Sequence, residues 1–111
     1  AAIADPHLLP VALVRQHLGL PIPADSGAYA RFLTHVKFAV QRIEEGSLLT
    51  GGDPRLFDLV RSADPLAQEC AEAIAAYVKD RYGIALPQEE KLYLMLHVAR
   101  LRARDEADRT G

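Results

Sequence analysis

Residues Tyr29-Ala30-Arg31-Phe32-Leu33-Thr34-His35-Val36-Lys37-Phe38-Ala39-Val40-Gln41-Arg42-Ile43 decide the fold. Tyr29, Phe32, Leu33, Val36, Val40 and Ile43 recur at three- and four-residue steps, the spacing of one apolar helix face. Asp25 or Ser26 stands where an N-cap belongs, and Gly46 where a helix stops. A helix over about 26–45 follows. At about 100° per residue, Arg31, His35 and Arg42 fall within about 40° of one another, on a strip beside that apolar face.

Working outward, turn residues divide the chain. Pro21 and Pro23, then Gly46, Gly51-Gly52 and Pro54, then Ser62 to Pro65, then Gly83 and Pro87 are the breaks. A first helix is expected over His7–Leu18, with His17 suited to the negative end of its dipole. A short helix should run Pro54–Arg61, with proline at the first helical position after Asp53. Asp64-Pro65 repeats that signal and opens a helix to Tyr82, with Leu66, Ala73, Ile74, Tyr77 and Val78 on its inner face. The last begins at Pro87 or Gln88 and runs to about Arg104. Its stretch Leu92–Leu101 is apolar almost all round, as in a helix buried on several sides. The fold class predicted is all-α, a compact bundle of five helices.

The composition fits that reading. The chain has 111 residues, 50% hydrophobic and 25% charged, enough for one domain with its own core. A net charge of −2 gives no global basic signal for nucleic acid. Arg100, Arg102 and Arg104 are answered by Asp105, Glu106 and Asp108, the alternation of a solvated helix end. The single cysteine, Cys70, excludes an internal disulfide. It suits a reducing, cytoplasmic setting and reads as a small core residue. No run has the length of a membrane span and no signal peptide is visible. The start without Met and the charged tail suggest a fragment of a longer protein.

Two histidines attract attention. His35 lies between Arg31 and Arg42 on one helix face, and guanidinium forks match phosphate oxygens. An unprotonated imidazole nitrogen is the nucleophile that a phosphoryl donor requires. On the last helix, Glu90, Tyr93, Leu94, Arg100, Leu101 and Arg104 share the side of His97, and a carboxylate there is placed to orient that ring through one nitrogen. Residue types alone leave other readings open. Both histidines are equally compatible with packing alone, Arg31 and Arg42 then being solvated and paired with Glu45 or another carboxylate. His7 and His17 read as surface or capping residues. A metal site from His35 and His97 has only two ligands of the right type. There is no glycine-rich phosphate loop, no serine elbow and no cysteine–histidine pair, so no enzyme or cofactor site is expected.

The same stretches resemble a known family. Residues 29–43 resemble the first signature of the PTS regulation domain, or PRD. Leu86-Pro-Gln-Glu-Glu-Lys-Leu-Tyr93-Leu-Met-Leu-His97-Val-Ala-Arg100-Leu101 resembles the second. Ala67 to Gly83, ending in a Tyr-Gly turn, resembles the helix between them. The match runs from about Leu8 to Leu101, and the whole chain, 1–111, then reads as one PRD with its core at about 7–104. The form Arg-Phe-x-Thr-His-x-Lys-Phe is closer to the second of two tandem PRDs. Ala39 departs from the bulkier residue common in the motif. The resemblance implies a cytoplasmic, homodimeric, sugar-sensing regulator of a bacterial BglG-type antiterminator, or of a related transcriptional activator. It implies that His35 and His97 accept phosphate from the phosphocarrier protein HPr or a sugar-specific enzyme IIB. Arg31, Arg42, Tyr93 and Arg100 would then support the switch. RNA or DNA binding would belong to a domain elsewhere. A dimerisation module whose histidines only pack remains the structural alternative.

Overall fold

The computed structural model describes Gln16 and residues 27–110, with side chains as far as Ala103. Four helices are described: α1 Gly27–Glu45, α2 Pro54–Ala63, α3 Pro65–Tyr82 and α4 Gln88–Thr110. All regular structure among the described residues is helical. The helix expected over His7–Leu18, its His7 and His17, and the cap at Asp25 or Ser26 lie outside the described residues.

The stops and starts follow local chemistry. At the end of α1, Gly46 adopts φ +70°. Its N–H donates to the Ile43 carbonyl (3.3 Å) and the Ser47 N–H to that of Arg42 (2.9 Å), the paired bonds of a Schellman motif. A residue with Cβ would strain that left-handed position. Asp53 caps α2 by accepting from the Arg55 N–H, and Arg55 holds its carboxyl below the usual range. Asp64 caps α3 by accepting from the Ala67 N–H at 3.2 Å, and it also accepts from the Arg102 guanidinium. That second bond ties the start of α3 to α4.

Helix α4 is the central element and packs against each of the other three. Leu92, Leu94, Met95, Val98 and Leu101 are buried along it. From α1 come Phe32, Val36, Ala39, Val40 and Ile43; Tyr29 and Leu33, at the stripe's edges, pack partly buried against this core. Ala39, where the family signature favours bulk, is one of the buried contacts. Phe57 is the buried anchor of α2.

Two expectations are corrected. The inner face of α3 is Ala67, Cys70, Ala71, Ile74, Ala75 and Val78; Leu66 and Tyr77 only flank it, and Ala73 is only half-buried. Alanines stand on every side of this helix, so apolar periodicity cannot single out one face. The small residues are those that let α3 and α4 close-pack. Helix α4 also continues to Thr110 rather than ending near Arg104. Its charged tail is made largely of good helix formers and contains no glycine or proline before Gly111. No described helix is long and apolar enough to cross a membrane.

Candidate functional site

Along α4, Glu90, Tyr93, His97 and Arg100 are spaced three, four and three residues apart, so they form one face. Along α1, Arg31, His35, Phe38 and Arg42 are spaced four, three and four residues apart and form another. These two faces meet across the α1–α4 seam, and the site is what they make there.

At one end, the rings of His35 and His97 stack at 3.6 Å between centroids and 15° between planes. Sequence reasoning found both residues but placed them in separate surroundings; the fold makes them one pair. The Tyr93 ring stands edge-on to both, at 5.9 Å from His35 and 4.6 Å from His97. Its hydroxyl lies 3.0 Å from His35 Nδ1 and donates to the His35 carbonyl at 3.2 Å. An open cleft of about 470 Å³ borders the stack, lined by Arg31, His35, His97 and Arg100 with Phe32 and Leu101 among its apolar walls. Both arginines are solvent-exposed. Burial, then electrostatic repulsion from His35, Arg100 and Arg42, push the His97 imidazole down to about 4. At neutral pH, therefore, this ring keeps a lone pair available.

At the other end, Glu90 is almost wholly buried, at 1% exposure. Arg42 grips it with a two-pronged bond, Nε to Oε2 and NH2 to Oε1, each 2.8 Å. The Leu49 N–H, in the loop after α1, donates to the same Oε2 at 2.9 Å. The pairing with Glu90 raises the Arg42 pKa above its ordinary value. The Arg42 guanidinium also lies 4.4 Å from the centre of the Tyr93 ring, a cation–π contact. Burial raises the Tyr93 hydroxyl above its ordinary pKa, with Arg42 opposing.

Two expectations change here. Glu90 does not orient His97; it pairs with Arg42. The group that contacts an imidazole nitrogen is the Tyr93 phenol, and the imidazole is that of His35. Nor do two arginine forks flank His35. Arg31 shares its cleft, while Arg42 is spent on Glu90. The clasp joins residues 48 positions apart, and no local pattern announces it. The one available signal was a glutamate in the first turn of a helix apolar almost all round. Among the described residues no group of three or more His, Cys, Asp or Glu could hold a metal ion. Cys70 is fully buried, and burial pushes its thiol up to about 11, the behaviour of an inert core residue.

Two paired imidazoles beside exposed arginines, in an all-helical domain, define a class of protein with histidine sites on a helix seam. The chain matches the PRD domain family over residues 11–101 and belongs to it, which makes it a regulatory rather than an enzymatic domain. It is 33% identical over 91 residues to the transcription antiterminator LicT of Bacillus subtilis (strain 168), covering 82% of this chain and 33% of that protein. It is equally identical, over 91 residues, to the beta-glucoside operon antiterminator of Dickeya chrysanthemi, covering 82% and 32%. The GlcA/glcB genes antiterminator of Staphylococcus carnosus (strain TM300) is 24% identical over 95 residues, covering 85% and 33%. The chain spans about a third of the length of these relatives.

Proposed function

We propose that this chain is the regulatory PRD of a bacterial transcriptional antiterminator for sugar-utilisation genes, switched by phosphorylation of His35 and His97. The observation that carries this reading is the stacked pair on a cleft shared with Arg31 and Arg100. The donors are HPr or a sugar-specific enzyme IIB of the phosphotransferase system, which places the domain in the cytoplasm. Arg31 and Arg100 meet the phosphate; Tyr93 and Arg42 hold the acceptors in place.

A phosphoryl group adds roughly −1.5 to −2 charges and strong acceptor oxygens. The rings are too close for it to leave the stack undisturbed. Moving either ring shifts α1 against α4 and, with it, an equilibrium between two arrangements of a homodimer. Phe38, exposed and edge-on to His35, is apolar surface for such an interface. Residues 1–111 form one PRD of a longer regulator. On this reading RNA is bound by a module outside these residues.

Incubation with HPr, the enzyme that charges it and phosphoenolpyruvate should place acid-labile phosphate on the protein. The His35→Ala/His97→Ala double variant should take none. Undiminished label in that variant rules out both acceptors.

A further inference from the structure

We infer that Tyr93 is a positioning residue that holds His35 in its Nδ1–H tautomer, which makes Nε2 the atom that attacks phosphorus. The attack itself rests on the proposed role of His35 as acceptor; the tautomer does not.

Two contacts meet at the Tyr93 hydroxyl, His35 Nδ1 at 3.0 Å and the His35 carbonyl at 3.2 Å. The hydroxyl carries one hydrogen, and the carbonyl can only accept. If that hydrogen went to Nδ1, two oxygens would face each other with lone pairs opposed. If it goes to the carbonyl, Nδ1 must supply the second hydrogen, and both contacts become bonds. Only the Nδ1–H tautomer satisfies both, and it leaves the lone pair on Nε2. Burial keeps the phenol protonated at neutral pH, so its hydrogen is present. The ring has little freedom to turn away: His97 covers one face at 3.6 Å. Tyr93 is itself held by the Arg42 guanidinium at 4.4 Å, which Glu90 fixes in turn.

The chemistry follows from that assignment. The step is written for a donor that carries its phosphate on a histidine nitrogen. The Nε2 lone pair forms the new N–P bond as the donor's N–P bond breaks, and that electron pair returns to the donor's nitrogen. The product retains the Nδ1 proton, so the ring is cationic until that proton passes to solvent. A phenol oxygen accepting from Nδ1–H stabilises this cation as it forms. The same fixed tautomer excludes phosphate from Nδ1, whose lone pair is absent.

The ¹⁵N spectrum of the labelled chain, above the pH at which imidazoles are protonated, reads the tautomer directly. His35 should show a pyridine-type Nε2 and a pyrrole-type Nδ1. In Tyr93→Phe the pattern should move toward the ordinary histidine preference, Nε2–H. A pyridine-type Nδ1 in the unaltered protein overturns the inference, and so does an unchanged pattern in a folded Tyr93→Phe. The first of these measurements needs no variant. Phosphoramidate, a small phosphoryl donor, then tests the attacking atom. One isomer, with ³¹P coupled to Nε2, is expected in the unaltered chain and a mixture in Tyr93→Phe; phosphorus on Nδ1 of the unaltered chain overturns the inference. Failure of His35 to take phosphate from any donor refutes its role as acceptor, while the tautomer still decides whether Tyr93 positions the ring.

Discussion

The two ends of the α1–α4 seam use the same geometry for opposite ends. At the Glu90 end, a buried carboxylate has a guanidinium and a backbone N–H pointed at it. At the His35–His97 end, two rings lie against each other with a tyrosine on one side and an open cleft on the other. The first end is a clasp whose loss exposes buried charge. The second leaves two imidazoles on a cleft beside exposed cations. The seam is thus clasped at one end and open to solvent at the other, and Tyr93 touches both. Under the proposed phosphorylation, a change at the stack would act against the clasp as a pivot, as a switch between two helix arrangements requires.

The clasp should show the largest effect on stability. Removing one partner of a buried, hydrogen-bonded ion pair leaves the other charge without compensation and costs about 3 kcal/mol or more. Glu90→Ala leaves Arg42, whose side chain is only 19% exposed, and the Leu49 N–H without their acceptor. Urea unfolding should register a loss of at least about 3 kcal/mol. A loss below about 1 kcal/mol would show that solvent readily replaces the clasp, and the contrast between the two ends would disappear.

A smaller effect should come from pH at the other end. His97 titrates at about 4 in the folded chain against an ordinary 6.5. Between those values the unfolded chain binds more protons than the folded one, so stability rises with pH across the window. The contribution is fully present above about pH 6.5 and is lost on acidification through about 4. Because the ring is only half-buried, solvent screening reduces the effect to about 1–2 kcal/mol. Unfolding measured across that window should slope accordingly, and His97→Gln should remove most of the slope. An unchanged slope in the variant would place the titration elsewhere.

These two tests also mark what could be read from the sequence and what could not. The four described helices were legible because their signals are local. Asp53-Pro54, Asp64-Pro65, Gly46 and Gly83 act within a few residues of themselves, and the stripe on α1 is set by its own spacing. His35, His97, Arg31 and Arg100 were legible as members of helix faces, and the family signatures added their order. The clasp was not legible, since Arg42 and Glu90 meet only after α1 crosses α4. For the same reason the stack was hidden: wheel geometry ranks residues within one helix and says nothing of which faces meet. The alanine face of α3 was hidden for a different reason, because small apolar residues on all sides carry no phase.

The smallest effect on stability should belong to the cleft arginines, and there the contrast between the two ends is sharpest. Arg31 and Arg100 are exposed and border the stack. Surface substitutions without buried partners change stability by less than about 0.5 kcal/mol, so Arg31→Gln and Arg100→Gln should unfold like the parent chain. Phosphoryl transfer should respond differently. A guanidinium that meets phosphate oxygens as charge builds is worth about 1.4 kcal/mol, or roughly tenfold in rate. Initial labelling by charged HPr should therefore slow about tenfold in each variant with the unfolding curve unmoved. Lysine at either position should recover part of the rate, since it restores the charge without the planar fork. Labelling at the parent rate in both glutamine variants would leave the cleft without a role in phosphate recognition and reduce the contrast to one of burial alone.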